Sequence, residues 1–510
     1  MEIKGFIGPS YLSMSKYASV ERCVNFFLEV VEDPHETKSR QILYPCPVAG
    51  YLSGTPPVGL RQRNRGLLEV NGRVFGVNGT QMFEYITPYN TVAGTTAGQF
   101  GGWSTLGTVV DDGDPVSMVA NGVNAGNPAS NTAQQIFITT SSGNGYIYSL
   151  GGVFTDLSTV SGFMAGQGGT FLDDFFISII TGTNGIQISE ENDGTQWDNT
   201  QVAYTQGQSD ALSALIADRE YLWLLGSRRS EIWYNAGAQF FPFAIQPGAF
   251  LEIGVQAWHT LVQADNSLFW MGQDKRGGLS FWRANGLIPI RVSNHAVEQI
   301  WASYSKVSDA FAYSFLWRGH TFIRIIFPSA NAGWTYDAAA SQQLGYAVWH
   351  ENSFTDNNGN HLAPFEGAHC YVGPENSHTG QGFHIVGSRG ADGNPGALYT
   401  FTDQTIVDLD PKLLLRYSND GGNTWSNERQ LEVGRVGEYT KRCRAPLCGA
   451  GRDRVIWVRC NDYGNCPQNP DGTGGFTMTR DRISPHDFDE NKYIRYSLYE
   501  FEVNKGIGLQ

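Results

Sequence analysis

Between Leu67 and Ile86 the chain reads LLEV-NG-RVFGV-NG-TQMFEYI, three short runs of alternating apolar and polar residues cut by Asn71-Gly72 and Asn78-Gly79. An Asn-Gly pair supplies the two positive-φ residues of a type I′ turn, and alternation on both sides makes it a hairpin signal. This pattern admits a β-meander and little else. It returns along the chain as QQIFITT-SSGNG-YIYSL, TFLDDFFISII-TGTNG-IQISE and SALIADREYLWLLG, a recurrence at roughly 35 to 50 residues of the kind that propeller blades produce.

The densest part runs from Leu222 to His350, through LWLLGSRRSEIWYNAG, SLFWMGQDKRGGLSFWRANGLIPIRV, AYSFLWRGHTFIRIIFP, GWTYD and AVWHE. Leu222 and Leu224 share one face of their strand, and Leu268 and Trp270 one face of theirs, because side chains alternate across a strand. Composition agrees. Gly makes up 61 of 510 residues and charged residues only 16%, below the ~25% of ordinary domains. The expected fold is all-β, a β-propeller at 55–405 with loop insertions. Six blades are the expected count, although no residue pattern fixes it.

The two ends differ in texture. Residues 1–54 mix short apolar runs with Pro34, Pro45 and Pro47 and read as an arm, with a strand from Val24 to Val31. Residues 406–510 open with LLLRYSNDGGNTWSN and close with KYIRYSLYEFEV. They read as a second β-rich unit that forms a platform domain together with the arm. Residues 88–132 and 352–395 read as mostly surface loop. One helix is expected in SNHAVEQIWASY, capped by Ser293 or Asn294, with Val297, Ile300, Trp301 and Tyr304 on one face.

Formal charge is −14, which argues against free DNA binding, a task that needs a basic face. Residues 411–510 carry 15 Lys/Arg and 13 Asp/Glu, or +2, leaving 1–410 at 20 − 36 = −16. Acidic walls suit solubility, and they also suit a conduit through which nucleic acid slides without sticking. Seven cysteines are an odd number at low density for a disulfide framework. No apolar run reaches the ~18 residues of a spanning helix, and the first residues lack a signal-peptide core. Synthesis in a reducing cytoplasm, without membrane insertion, is the inference.

Several constellations carry a structural and a functional reading side by side. Ser418, Asp420, Gly422, Thr424 and Trp425 fit S-x-D-x-G-x-T-W, the Asp box familiar from sialidase propellers. It is a hairpin turn in which the carboxylate accepts backbone N–H groups and the indole packs beneath, and its expected role here is structural. A degenerate copy lies at Asp193, Gly194 and Trp197. Cys443, Cys448, Cys460 and Cys466 are spaced more widely than zinc knuckles. His361, His369, Cys370, His378 and His384 form a loose cluster in Gly-rich sequence. Neither set is expected to hold a metal, and no cofactor is expected. Arg435, Lys441, Arg442, Arg444, Arg452, Arg454 and Arg459 form the one basic island, read as a contact to DNA phosphates in a channel or to an acidic adaptor. The bland alternative is a salt-bridged sheet face. No G-x-S-x-G, H-E-x-x-H or Walker A motif occurs. The pairs Asp111-Asp112 and Asp173-Asp174 sit in or beside strands, so the chain is not expected to be an enzyme.

The signatures GSRRSEIWYNAG, FWMGQDKRGG, SNHAVEQI, WRGHTF and TYD…VWHE resemble the packaged-DNA stabilisation proteins of short-tailed phages, the tail hub or nozzle family. ERCVNFFLEV near the start and RYSNDGGNTWSNERQLEVGRVGEYTKRC toward the end extend the likeness. The resemblance implies a virion protein of the short tail, a homohexameric ring of propeller subunits below the portal and its adaptor ring. Such a ring retains packaged double-stranded DNA in its lumen without sequence specificity. It anchors fibres or spikes and a terminal plug or needle, and it takes part in DNA ejection. The alternative reading, from the Asp box and the abundant Trp and Tyr, is a glycan-binding or sialidase-like propeller. Several sound Asp boxes and an Arg triad would be expected of a sialidase, and Arg is sparse before 411.

Overall fold

The computed structural model describes residues 8–12, 20–32, 41–53, 62–85, 103–122, 134–207, 210–274, 277–355, 361–374 and 382–402. Beyond these it describes the segments 412–418, 425–427, 429–431, 440–446, 455–462, 478–483 and 498–504. The chain is all-β apart from two short α-helices and two 3-10 turns among the described residues.

Seven four-stranded antiparallel blades form a closed propeller, at 64–108, 117–156, 166–204, 212–251, 253–291, 311–351 and 366–402. The count corrects the expectation of six. The seventh blade arises from 366–402, where a low apolar content reads as loop. Its strands Glu366–Val372, Phe383–Ser388 and Leu398–Thr402 lack a fourth partner of their own, and Gly50–Ser53 supplies it, with Tyr51 opposite Phe401. The ring is therefore closed by a strand from inside the N-terminal 54 residues. The stretch 88–132 likewise contains two strands, Trp103–Thr108 and Ser117–Ala120.

The alternation in the sequence buries both faces of each second strand. In Tyr221–Gly226, Leu222 and Leu224 pack toward blade 3, while Trp223 and Leu225 join Leu268 and Trp270 of blade 5. One apolar cluster fills each seam, and the last joins Leu67, Val74 and Phe83 of blade 1 to Ala368, Val372 and Ile385 of blade 7. Closing that seam covers the apolar faces of the first and last blades, each Å² of apolar surface removed from water contributing ~25 cal/mol.

The turns follow the sequence. Asn71 and Gly72 both take positive φ, as do Asp173-Asp174, Asp265-Asn266 and Arg318-Gly319, each joining the first two strands of its blade. At the second Asn-Gly the turn shifts by one residue. Asn78 ends its strand, and its side chain both accepts from Gln62 N at 3.1 Å and donates to Gln62 O at 2.6 Å. Gly79 alone takes positive φ there.

The expected helix forms at His295–Ala302 with Asn294 as its cap. A second, Ala338–Leu344, is capped by Asp337 Oδ1, which accepts from Ala340 N at 2.9 Å. The expected arm strand is two strands, Val20–Val24 and Phe26–Glu32, separated by Asn25 at φ 58°. Asn25 is clamped: its Nδ2 donates to Ser353 O at 2.8 Å, and its Oδ1 accepts from Ser353 N at 3.1 Å. Val24 then pairs in parallel with Glu351, the outer strand of blade 6. Through Val20–Val24 that blade's sheet continues into Met478–Ile483, Val455–Asp462, Lys412–Ser418 and Arg429–Leu431. Val20–Val24 of the arm and four C-terminal strands thus extend that blade's sheet, while Phe26–Glu32 with Gln41–Pro47, and Thr440–Pro446 with Leu498–Asn504, form two-stranded sheets of their own.

Candidate functional site

The innermost strands line a central channel, and side chain to backbone hydrogen bonds tie them together. Ser117 Oγ of blade 2 donates to Gly169 O of blade 3 at 3.2 Å, and Thr170 Oγ1 accepts from Ala217 N of blade 4 at 2.9 Å. Gln263 Nε2 of blade 5 donates to Ala217 O at 2.7 Å, and Ser314 Oγ of blade 6 donates to Gln263 O at 2.8 Å. Polar groups that would otherwise lie unpaired along the channel are satisfied by the neighbouring blade.

One inner strand is interrupted. In blade 5 the innermost strand breaks into Ile253–Val255 and Val262–Ala264, with the 3-10 turn Trp258–Thr260 between them. In blade 3, on the far side of blade 4, the register slips at Gly168, which sits at φ +65°. A Cβ on Gly168 would lie 4.0 Å from the Trp258 ring. His259, beside it, is pushed down to about 3 by burial, with Asp112 acting to raise it and Arg65 to lower it. The 3-10 turn of blade 5 therefore approaches the irregular inner strand of blade 3.

Two buried ionic groups hold the ring. At blade 1, the Arg65 guanidinium donates to Asp112, to Asp114 O at 2.7 Å and to Val110 O at 2.7 Å. Asp112 in turn accepts from Ser142 N of blade 2 at 2.9 Å. The pair Asp111-Asp112 is thus engaged in joining blades, and Asp173-Asp174 forms a turn. At the closure, Arg324 of blade 6 donates from Nη1 to Glu366 of blade 7 at 2.7 Å, and to the hydroxyls of Tyr51 at 2.8 Å and Tyr313 at 3.2 Å. Burial pushes the Tyr51 phenol well up, with Arg324 pulling the other way. Spacing along the chain gives no hint of these sets; apolar surroundings for a lone Arg in TFIRIIF are the one signal available.

The degenerate Asp box folds as a turn. Asp193 Oδ1 accepts from Thr195 N at 3.0 Å and from Thr195 Oγ1 at 2.7 Å, and Trp197 Nε1 donates to Gly194 O at 2.7 Å. Gln135 of blade 2 joins it from both ends of its amide, to Asp193 at 3.2 Å and from Gly194 N at 2.7 Å. Of the full box, Ser418 and Trp425 are described, flanking a hairpin in which Leu413 faces Leu431; Asp420, Gly422 and Thr424 lie outside the described residues.

His369 and His384 do come together, Nε2 to Nδ1 at 3.1 Å, with His384 Nε2 on Leu316 O at 2.8 Å. Burial takes both imidazoles below the usual range. His361 lies on a separate short strand, and His378 lies outside the described residues. Among the described residues no group of three or more His, Cys, Asp or Glu gathers to hold a metal. Cys443 and Cys460 fall on different sheets, Cys448 and Cys466 outside the described residues.

In the basic island, strand register sets Arg442 opposite Glu502, Arg444 opposite Glu500 and Arg459 opposite Asp481. Lys441 stands opposite Val503. Arg435, Arg452 and Arg454 lie outside the described residues.

Among solved structures, the chain is similar to the N-terminal domain of Nup159, with 7% identity, TM-score 0.39, and 74% of this chain and 98% of that one covered. It is also similar to the WD40 β-propeller domain of Doa1, at 10% identity and TM-score 0.37, covering 70% and 98%. None of the curated proteins compared matches it. No helix among the described residues is long and apolar enough to cross a membrane. The family model described as bacteriophage P22 Gp10, beta-propeller, a phage stabilisation family, matches residues 49–380. That span begins at the closing strand and takes in the blades up to the seventh, and the chain belongs to this family of phage tail and DNA-stabilisation propellers.

Proposed function

We propose that the chain is a tail-hub subunit of a short-tailed phage virion, assembling as a homohexamer below the portal and its adaptor ring. The lumen of that ring, between subunits, surrounds packaged duplex DNA without reading its sequence. The observation that carries this reading is the match of residues 49–380 to the phage-stabilisation propeller family. Seven blades closed into one ring with an apolar cluster in each seam make a stiff block, so the DNA path of this reading lies where several copies meet. A heterologous interface that closes gives such a ring. The blades supply stiffness, and the work is steric and electrostatic, with no bond broken.

The acidic balance of residues 1–410 supports a sliding surface, since like charge removes the counterion-release attraction. The island supports docking to an acidic adaptor or to phosphates through Arg435, Lys441, Arg452 and Arg454, because Arg442, Arg444 and Arg459 stand opposite carboxylates. Fibres or spikes and a terminal plug are the further partners of this reading. The glycan-directed alternative gains nothing from the Asp193 turn, whose polar atoms are engaged between blades 2 and 3. Native mass spectrometry of the purified chain and imaging of virions test the proposal. Six-copy rings at the head–tail junction are expected; a strict monomer absent from tails overturns it.

A further inference from the structure

Where the closing strand, the arm and blades 6 and 7 meet, a cavity of about 10 Å³ lies between Tyr51, Arg324, Asn352, Phe365 and Glu366, the space of one water molecule. Glu366 is 0% and Asn352 3% exposed. Each brings one atom without a hydrogen-bond partner, Glu366 Oε2 and Asn352 Nδ2. The first is an acceptor and the second a donor, and leaving either buried and unmatched destabilises the fold.

The neighbouring bonds fix which way the amide points. Arg324 Nε donates to Thr335 Oγ1 at 3.4 Å, so the threonine hydroxyl hydrogen goes to Asn352 Oδ1. With its oxygen engaged by a donor, Asn352 turns Nδ2 away from Thr335. On the other side Arg324 Nη1 holds Glu366 Oε1 at 2.7 Å, leaving Oε2 for a second partner. A chain of hydrogen bonds therefore runs from Glu366 through Arg324 and Thr335 to Asn352, and only its two ends are open.

We propose that one water molecule is a fixed part of this joint, donating to Glu366 Oε2 and accepting from Asn352 Nδ2, so that the chain closes into a ring of bonds. A metal ion or ammonium does not suit the place: the Arg324 guanidinium already neutralises the carboxylate, and Asn352 offers its N–H to whatever enters. The residues joined by the water belong to blades 6 and 7 at the point where Tyr51 shuts the propeller, so it completes the polar lock of the closure. This holds whether or not the chain assembles into rings.

The test is a crystal structure of the full chain at a resolution that shows ordered solvent. A peak about 2.6–3.2 Å from both Glu366 Oε2 and Asn352 Nδ2 is expected. An empty cavity, or Asn352 Nδ2 donating directly to Glu366, overturns the proposal. Asn352→Leu gives a second measure, since leucine fills the space and expels the water. Its melting midpoint should fall by roughly 2 °C or more, and a midpoint unchanged or raised speaks against the water. If that variant does not fold, the wild-type crystal decides alone.

Discussion

His320 Nδ1 lies 2.8 Å from Asp337 Oδ2, and its Nε2 lies 3.5 Å from Glu29 of the arm. Burial by itself would depress this imidazole, but the two carboxylates outweigh it and hold the group above its ordinary range. A raised histidine contributes stability that is complete below its unfolded value of about 6.5 and is lost as pH rises through the folded value. His320→Gln should therefore lower the melting midpoint at pH 6 and lower it less at pH 9.

On the acid side the sign reverses. Burial holds His350 and His259 at about 3, so each is neutral in the fold and takes up a proton on unfolding below about pH 6.5. Their contribution is present above that pH and fades as it falls. Replacing His350 by Leu should flatten the loss of midpoint between pH 6.5 and 4 relative to wild type. An unchanged acid limb would show that another group sets it.

Arg324 and Glu366 are 2% and 0% exposed as side chains. Arg324→Met leaves the carboxylate buried without its cation, at a cost of about 3–5 kcal/mol, read in chemical denaturation. A double variant that also makes Glu366 apolar should recover most of that loss.

Asp193 joins Thr195 on its own strand to Gln135 on the next blade. Asp193→Ala should cost about 1–3 kcal/mol through the donors it strands. Gln135→Ala should cost less in that background than in wild type, because the Gln135–Asp193 bond is already gone and only the bond from Gly194 N remains to be lost.

If the basic island docks on an acidic adaptor or on phosphates, assembly should weaken as ionic strength rises, since exposed charges are screened beyond ~10 Å at 0.1 M salt. Reversing Arg452 and Arg454 should reduce attachment to tails, while the same change at Arg442, which stands opposite Glu502, should act mainly on folding. Co-purification of subunit and adaptor against salt checks both.

Much of the fold is legible in the residues. Asn71-Gly72 marks its turn because only that chemistry supports two positive-φ positions in sequence, and the caps of His295–Ala302 are local as well. Other features are hidden because their cause is remote. Glu366–Val372 and Phe383–Ser388 lie in polar surroundings, and they become strands by packing on blade 1 and on a segment more than 300 residues earlier. The blade count fails for the same reason, since its last member has no fourth strand nearby. The ionic joints Arg65–Asp112 and Arg324–Glu366 are likewise set by topology. For the island, sequence shows only one sign of charge; the opposing carboxylates come from strands 20 to 60 residues further on.

Tyr51 pairs with Phe401, 401 − 51 = 350 positions later. At about 5–20 residues per second on the ribosome, the first half of that partnership waits on the order of 20–70 s for the second to emerge. Until then the nascent propeller is an open arc, with the apolar faces of its first and last blades uncovered. A chain cut short before Leu398 lacks the partner of Gly50–Ser53, so geometry alone keeps it from presenting the closed outline that neighbours would fit.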